Sequence, residues 1–184
     1  DRLGLKTLTE VMDSAHCELV HSYVDGLQVG ARNFQNFSLL RKIGQVTADS
    51  HKMVLYKRGF AGSIAEWLAA CDYVTAEGND NIVLCERGIR TFETATRFTL
   101  DIAAVPVVHK QSLFPICIDV SHPAGQRDLV PSAVAAGADS LMIEVHPNPP
   151  AALSDGPQQL TPDQFRVLVE ELRELAAVLG KKIV

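Results

Sequence analysis

Cysteine is sparse in this 184-residue chain: there are four, and no two form a CxxC pair. Cys17, Cys71, Cys85 and Cys117 are too far apart in sequence for a zinc knuckle or a disulfide frame. Reduced packing thiols are expected, Cys17 and Cys71 on helices and Cys85 and Cys117 in strands. Positive charge is also short, with 17 Lys and Arg against 22 Asp and Glu, a net charge of −5. A general nucleic-acid binder carries a basic excess, so no nucleic-acid partner is expected. No apolar run approaches the roughly 18 residues of a membrane helix. No basic-then-apolar leader opens the sequence, so the expected location is cytoplasmic, with no membrane partner. Low-complexity stretches and linkers are missing too. What is present is ordinary globular usage, 47% hydrophobic and 21% charged, in a chain long enough to hide roughly 70% of its unfolded surface.

Short apolar or β-branched runs alternate with segments of helical period. The expected strands are Leu5–Thr9, Gly26–Val29, Met53–Tyr56, Ile82–Cys85, Pro115–Asp119 and Leu141–Val145. They are too uniformly apolar to be half-exposed, which predicts a parallel sheet covered on both faces. Ser63 with Glu66 makes a capping box ahead of the stripe Ile64, Trp67, Leu68, Cys71 and Val74, and Gly78 supplies the stop. Thr161, Pro162 and Gln164 open the last helix. Its expected buried stripe is Phe165, Leu168, Val169, Leu172, Leu175, Ala176 and Leu179, ended by Gly180. Further helices are expected at Ser14–Tyr23, Phe37–Ile43 and Asp128–Ala136. Repeated strand-then-helix gives an α/β class with two competing architectures, an open doubly wound sheet and a (β/α)8 barrel. No GxGxxG follows the first strand, which weakens the dinucleotide-binding form. A full barrel usually needs about 250 residues, and only six strands are found.

Polar residues fall just after the strands: Glu10, Arg32, Lys57 with Arg58, Glu86 with Arg87, His122, Glu144 with His146, and Asp155 in the loop beyond. In a parallel barrel these points meet at the C-terminal mouth. Arg32, Lys57 and Arg87 suit a phosphate or carboxylate, and Gly30, Gly59 and Gly88 beside them let backbone N–H groups approach an anion. The alternative is that these bases pair with acids such as Glu86 and Glu10. His122, Glu144 and Asp155 suit a divalent first-row metal, Mn, Fe, Co or Zn, with positions open to substrate. A structural role for each is the competing reading. His146, two residues after Glu144, faces the same side if the strand continues. It is a candidate support for the metal site or the substrate, or a plain hydrogen-bonding residue.

At these residues the chain resembles a known family. The segments Gly30-Ala31-Arg32-Asn33-Phe34-Gln35-Asn36-Phe37, Leu55-Tyr56-Lys57-Arg58-Gly59 and Leu84-Cys85-Glu86-Arg87-Gly88-Ile89-Arg90-Thr91-Phe92 are similar to type I 3-deoxy-D-arabino-heptulosonate-7-phosphate (DAHP) synthases. So are Asp119-Val120-Ser121-His122, Ile143-Glu144-Val145-His146-Pro147 and Ser154-Asp155-Gly156-Pro157-Gln158. The group is the one related to 3-deoxy-octulosonate-8-phosphate synthases, and the likeness runs almost end to end. It implies a (β/α)8 TIM-type barrel with about six of the eight units, so that residues 1–184 are one partial barrel domain. It also implies a metal-dependent transferase of the shikimate route to aromatic amino acids. That enzyme condenses phosphoenolpyruvate with erythrose 4-phosphate, giving the seven-carbon product and phosphate. By the resemblance, Ala31, Arg32, Lys57 and Arg87 hold phosphoenolpyruvate, and Lys57 is also a proton donor to the aldehyde oxygen. Glu10 positions the attacking water. His122, Glu144 and Asp155 are metal ligands, with Glu86 and His146 as candidate supports and a homo-oligomer as the expected assembly.

The pattern also departs from the family. No Gly-Pro-Cys strand and no Lys-Pro-Arg-Thr loop is found, so the chain is expected to carry units three to eight and, alone, to turn over slowly or not at all. Asp119-Val120-Ser121-His122 has Val where Pro is usual, and Arg97-Phe98-Thr99 has Phe where Asn is usual. The stretch from His122 to Glu144 is about one helical turn short, and Gln45–Lys52 is about as much too long. Two alternatives remain: a synthase acting on another aldose phosphate such as arabinose 5-phosphate, and a non-catalytic homologue serving as a binding or assembly partner.

Overall fold

A computed structural model of the chain describes residues 3–124 and 127–183. It divides into two compact units, Asp1–Cys85 with Gln111–Pro115, and Glu86–Lys110 with Ile116–Val184.

The first unit is built on four strands: β1 (Leu8–Glu10), β2 (Gly26–Val29), β3 (Met53–Lys57) and β4 (Ile82–Glu86), whose last residue, Glu86, falls in the second unit. They pair in parallel in chain order, with Leu8 against Gly26, Gly26 against Met53 and Val54 against Ile82. The helices between them are α1 (Cys17–Tyr23), α2 (Phe37–Thr47), α3 (Ile64–Ala70) and α4 (Asp72–Thr75). Leu27, Val29, Val54, Tyr56 and Leu84 are buried on the strands, and Leu39, Leu40, Ile43, Trp67 and Val74 are buried on the helices. This is the two-sided cover expected of a parallel sheet. β1 differs: its residues are largely exposed and it starts three residues later than Leu5. Asp25 secures the chain just before it, accepting from the Thr7 N–H and from Lys6.

The predicted capping box forms as written, with Ser63 and Glu66 each accepting from the other's backbone N–H. Asn79, fully buried, donates to Thr47 Oγ1 at 2.7 Å and to the Lys52 carbonyl at 2.9 Å. That satisfies a polar side chain inside the core and fixes the approach to β4.

The second unit holds α5 (Ala104–Gln111, whose last residue, Gln111, falls in the first unit), β5 (Ile116–Asp119), α6 (Ser121–Ala124), α7 (Val130–Ala136), β6 (Ser140–Met142) and α8 (Pro162–Val178). β5 and β6 pair in parallel, Cys117 against Ser140. Thr161 and Gln164 close the second capping box. The stripe of α8 is narrower than expected. Leu168, Leu172 and Ala176 are buried, whereas Phe165 and Leu179 are 36% and 42% exposed. The expected strand Leu141–Val145 ends at Met142, for a reason that belongs to the site. The stretch expected to be a turn short includes residues 125 and 126, which lie outside the described residues.

All four cysteines are buried and unbridged, as the packing reading expected. Burial pushes the Cys17 and Cys71 thiols up to about 11 and about 12, which makes them poor nucleophiles at neutral pH.

Candidate functional site

In the first unit the chemistry-bearing residues sit at strand ends. Lys57 closes β3 and is 7% exposed. Arg58 follows it, donating from Nε to the Gly62 carbonyl at 2.8 Å. Ala31 and Arg32 lie in the 3-10 turn after β2, with the Arg32 guanidinium 5.9 Å from the Phe60 ring centroid. The buried Tyr56 hydroxyl donates to the Phe34 carbonyl and so anchors this turn. Glu10, at the end of β1, lies against Gly30, where a Cβ would come 2.1 Å from Glu10 Oε1. Gly30 therefore leaves the room that the Glu10 carboxylate occupies.

The remaining candidates belong to the second unit. Glu86 is fully buried, and its Oε1 accepts from the Gly88 N–H at 2.7 Å. Gly88 has φ +90°, a conformation that costs a non-glycine residue, and an added Cβ would meet Phe98 at 2.7 Å. The Arg87 guanidinium lies 4.2 Å from the Phe98 ring centroid. A ring face attracts a planar cation and so helps to hold Arg87 in place.

The structure brings His122, Glu144 and Asp155 together, with one ligating atom from each within 4.8 Å of the others. Asp119, fully buried at the end of β5, organises the first of them. Its Oδ1 accepts from the Ser121 and His122 backbone N–H groups at 3.1 and 3.2 Å. Its Oδ2 lies 2.7 Å from His122 Nδ1, somewhat off ideal hydrogen-bond alignment. A carboxylate beside Nδ1 favours the tautomer with its proton there and turns the Nε2 lone pair outward. His122 Nε2 is 3.5 Å from Glu144 Oε1.

Glu144 lies beyond the end of β6 because its N–H donates to Ser121 Oγ at 2.9 Å rather than to a strand partner. The chain then runs beside Leu160, whose N–H donates to the Glu144 carbonyl. His146 accepts at Nδ1 from the Asn148 N–H at 2.9 Å, a bond that holds the proline-rich loop. Asp155 sits at φ +53°, in the left-handed region that Asp tolerates better than most residues. Arg97 Nη1 donates to Asp155 Oδ1 at 3.1 Å and to Gln158 Oε1 at 2.7 Å, and Gln158 Nε2 donates to Glu144 Oε2 at 2.9 Å.

Sequence reasoning named the trio but gave no role to Asp119, Ser121, Arg97, Phe98 or Gln158. Asp119 had a readable signal, since an acid three residues before a histidine at a helix start is a capping pattern. An imidazole nitrogen and two carboxylates, in a pocket of intermediate burial, are a donor set that fits a borderline divalent ion.

A family model described as the DAHP synthetase I family matches residues 1–179. The chain is 48% identical over 187 residues to the phospho-2-dehydro-3-deoxyheptonate aldolase of Thermotoga maritima, covering 100% of this chain and 54% of that protein. It is 33% identical to the 2-dehydro-3-deoxyphosphooctonate aldolase of Caulobacter vibrioides, covering 92% of this chain and 62% of that one. The chain thus spans between about half and two-thirds of the length of these relatives. A solved truncated form of 3-deoxy-D-arabino-heptulosonate 7-phosphate synthase from Thermotoga maritima superposes with a TM-score of 0.94 at 47% identity, covering all of this chain and 70% of that one. The crystal structure of a DAHP synthase from the same organism gives 0.95, covering 54% of that chain. The fold class is accordingly α/β, of (β/α)8-barrel type, with six strands among the described residues.

Proposed function

The chain belongs to the DAHP synthetase I family, and from that premise we propose that it serves the condensation of phosphoenolpyruvate with erythrose 4-phosphate, the first step of the shikimate route. The observation that carries the chemistry is the donor set of His122, Glu144 and Asp155 within 4.8 Å. These residues would hold the ion, Mn, Fe, Co or Zn. When bound, such an ion supplies a Lewis acid at the aldehyde carbonyl.

The rest is the work of side chains. Phosphoenolpyruvate is highly anionic, and Arg32, Arg87 and Lys57 match its phosphate and carboxylate, helped by the Ala31 N–H. Lys57 gives a proton to the aldehyde oxygen as C3 of the enol bonds to the aldehyde carbon. Glu10 orients the water that adds to C2. The added water loses a proton to leave a hydroxyl on C2. As that hydroxyl gives up its own proton and becomes the ketone, the bond from C2 to the phosphate ester oxygen breaks and inorganic phosphate leaves with its O–P bond intact. Glu86 supports the Arg87 turn through Gly88, and His146 shapes the loop that carries the metal residues. Residues 1–184 act as one partial barrel domain of a cytoplasmic homo-oligomer. No helix among the described residues is long and apolar enough to cross a membrane.

The second reading, condensation with a five-carbon aldose phosphate, is favoured by the octulosonate-forming relatives at 33% identity. The 48% match supports the first. Rates of phosphate release from phosphoenolpyruvate with erythrose 4-phosphate and with arabinose 5-phosphate separate the two. The four-carbon sugar is expected to be preferred, and preference for arabinose 5-phosphate transfers the chain to the second reading.

A further inference from the structure

Gln158 and Arg97 form a hydrogen-bonded bridge between the two carboxylates of the trio. Arg97 Nη1 reaches both Asp155 Oδ1 (3.1 Å) and Gln158 Oε1 (2.7 Å), and Gln158 Nε2 reaches Glu144 Oε2 (2.9 Å). The amide orientation is dictated by its neighbours. Reversed, it would set NH2 against a guanidinium and a carbonyl against a carboxylate, so only one orientation satisfies both ends. Each carboxylate therefore has one oxygen engaged by the bridge. Glu144 Oε1, the oxygen 3.5 Å from His122 Nε2, is left on the side of the imidazole. Asp155 likewise gives Oδ1 to Arg97 and retains Oδ2. Two acids this close repel one another, and the bridge offsets that repulsion with a cation and a neutral donor while dividing their oxygens between protein and ion.

We propose that Gln158 is a positioning residue for the metal site: held by Arg97, it fixes the Glu144 carboxylate so that Oε1 faces the ion, and Arg97 does the same for Asp155. This rests on the metal-site reading above. It extends that reading from three ligands to two further residues, Arg97 and Gln158, that orient the two carboxylates, in the way outer hydrogen bonds orient ligands and raise affinity.

The test is a Co2+ titration of the chelator-stripped chain by calorimetry, with the visible ligand-field spectrum and thermal unfolding recorded on the same samples. Gln158→Met keeps the length and removes the donor. It is expected to weaken Co2+ binding about 10- to 100-fold and to alter the spectrum, with unfolding close to the parent's. His122→Ala is expected to abolish binding. If Gln158→Met does not fold, Gln158→Asn, one methylene too short to reach Glu144, carries the same expectation. Parent-like affinity and spectrum in the Gln158 variant, alongside lost binding in His122→Ala, overturn the positioning role and leave the metal site standing. Parent-like binding in His122→Ala, or no binding by the parent, overturns both.

Discussion

The tightest steric relation at the candidate site is between Gly30 and Glu10. A methyl group at Gly30 would occupy the place of Glu10 Oε1. That oxygen is the end of a flexible side chain, so it can swing aside at small cost to the fold but not without leaving its position. Gly30→Ala is therefore expected to unfold near the parent temperature while turnover falls about 100-fold, the scale of a lost proton-handling or water-orienting group. Calorimetry and a phosphate-release assay on one preparation check this, and undiminished turnover would remove Glu10 from the mechanism. Gly88 is a different case, because its neighbour there is the Cβ of Phe98, it has φ +90°, and neither can swing away.

At the scale of elements, β1 depends on Asp25. The Thr7 N–H, then Lys6, then the Thr7 hydroxyl hold this carboxyl at about 2, below its ordinary 3.8. A depressed folded-state value means that the stabilisation is complete above the ordinary carboxylate range and is lost as pH falls toward about 2. The stability difference between the parent and Asp25→Asn, read from urea unfolding, should therefore shrink between pH 3.8 and about 2. A difference that stays constant across that window contradicts the assignment.

Elements governed by local signals were legible in the sequence. β2 runs from Gly26 to Val29 as expected, and both capping boxes form at Ser63 and Thr161. α5 was not anticipated, because Val105, Pro106, Val107 and Val108 carry neither a cap nor a helical period, and burial of Ala104, Val105 and Val108 decides it. β6 stops early because Ser121, more than twenty residues away in sequence, takes the Glu144 N–H. The trio was legible through the resemblance. The Arg97–Gln158 bridge was not, because its ends are 61 residues apart and no local pattern joins them.

For the whole molecule, a chain with a net charge of −5 carries Arg32, Lys57 and Arg87 at strand ends, and in the proposed reading these meet an anionic substrate. The same reading requires an ion at His122, Glu144 and Asp155. The most direct measurement is erythrose 4-phosphate-dependent loss of phosphoenolpyruvate by the chain, followed before chelation, after it, and after Mn2+ or Co2+ is restored. The account predicts a slow turnover that disappears with the chelator and returns with the ion, with phosphate released in step. Loss of phosphoenolpyruvate at the same rate in the stripped chain, or without the sugar phosphate, would contradict it.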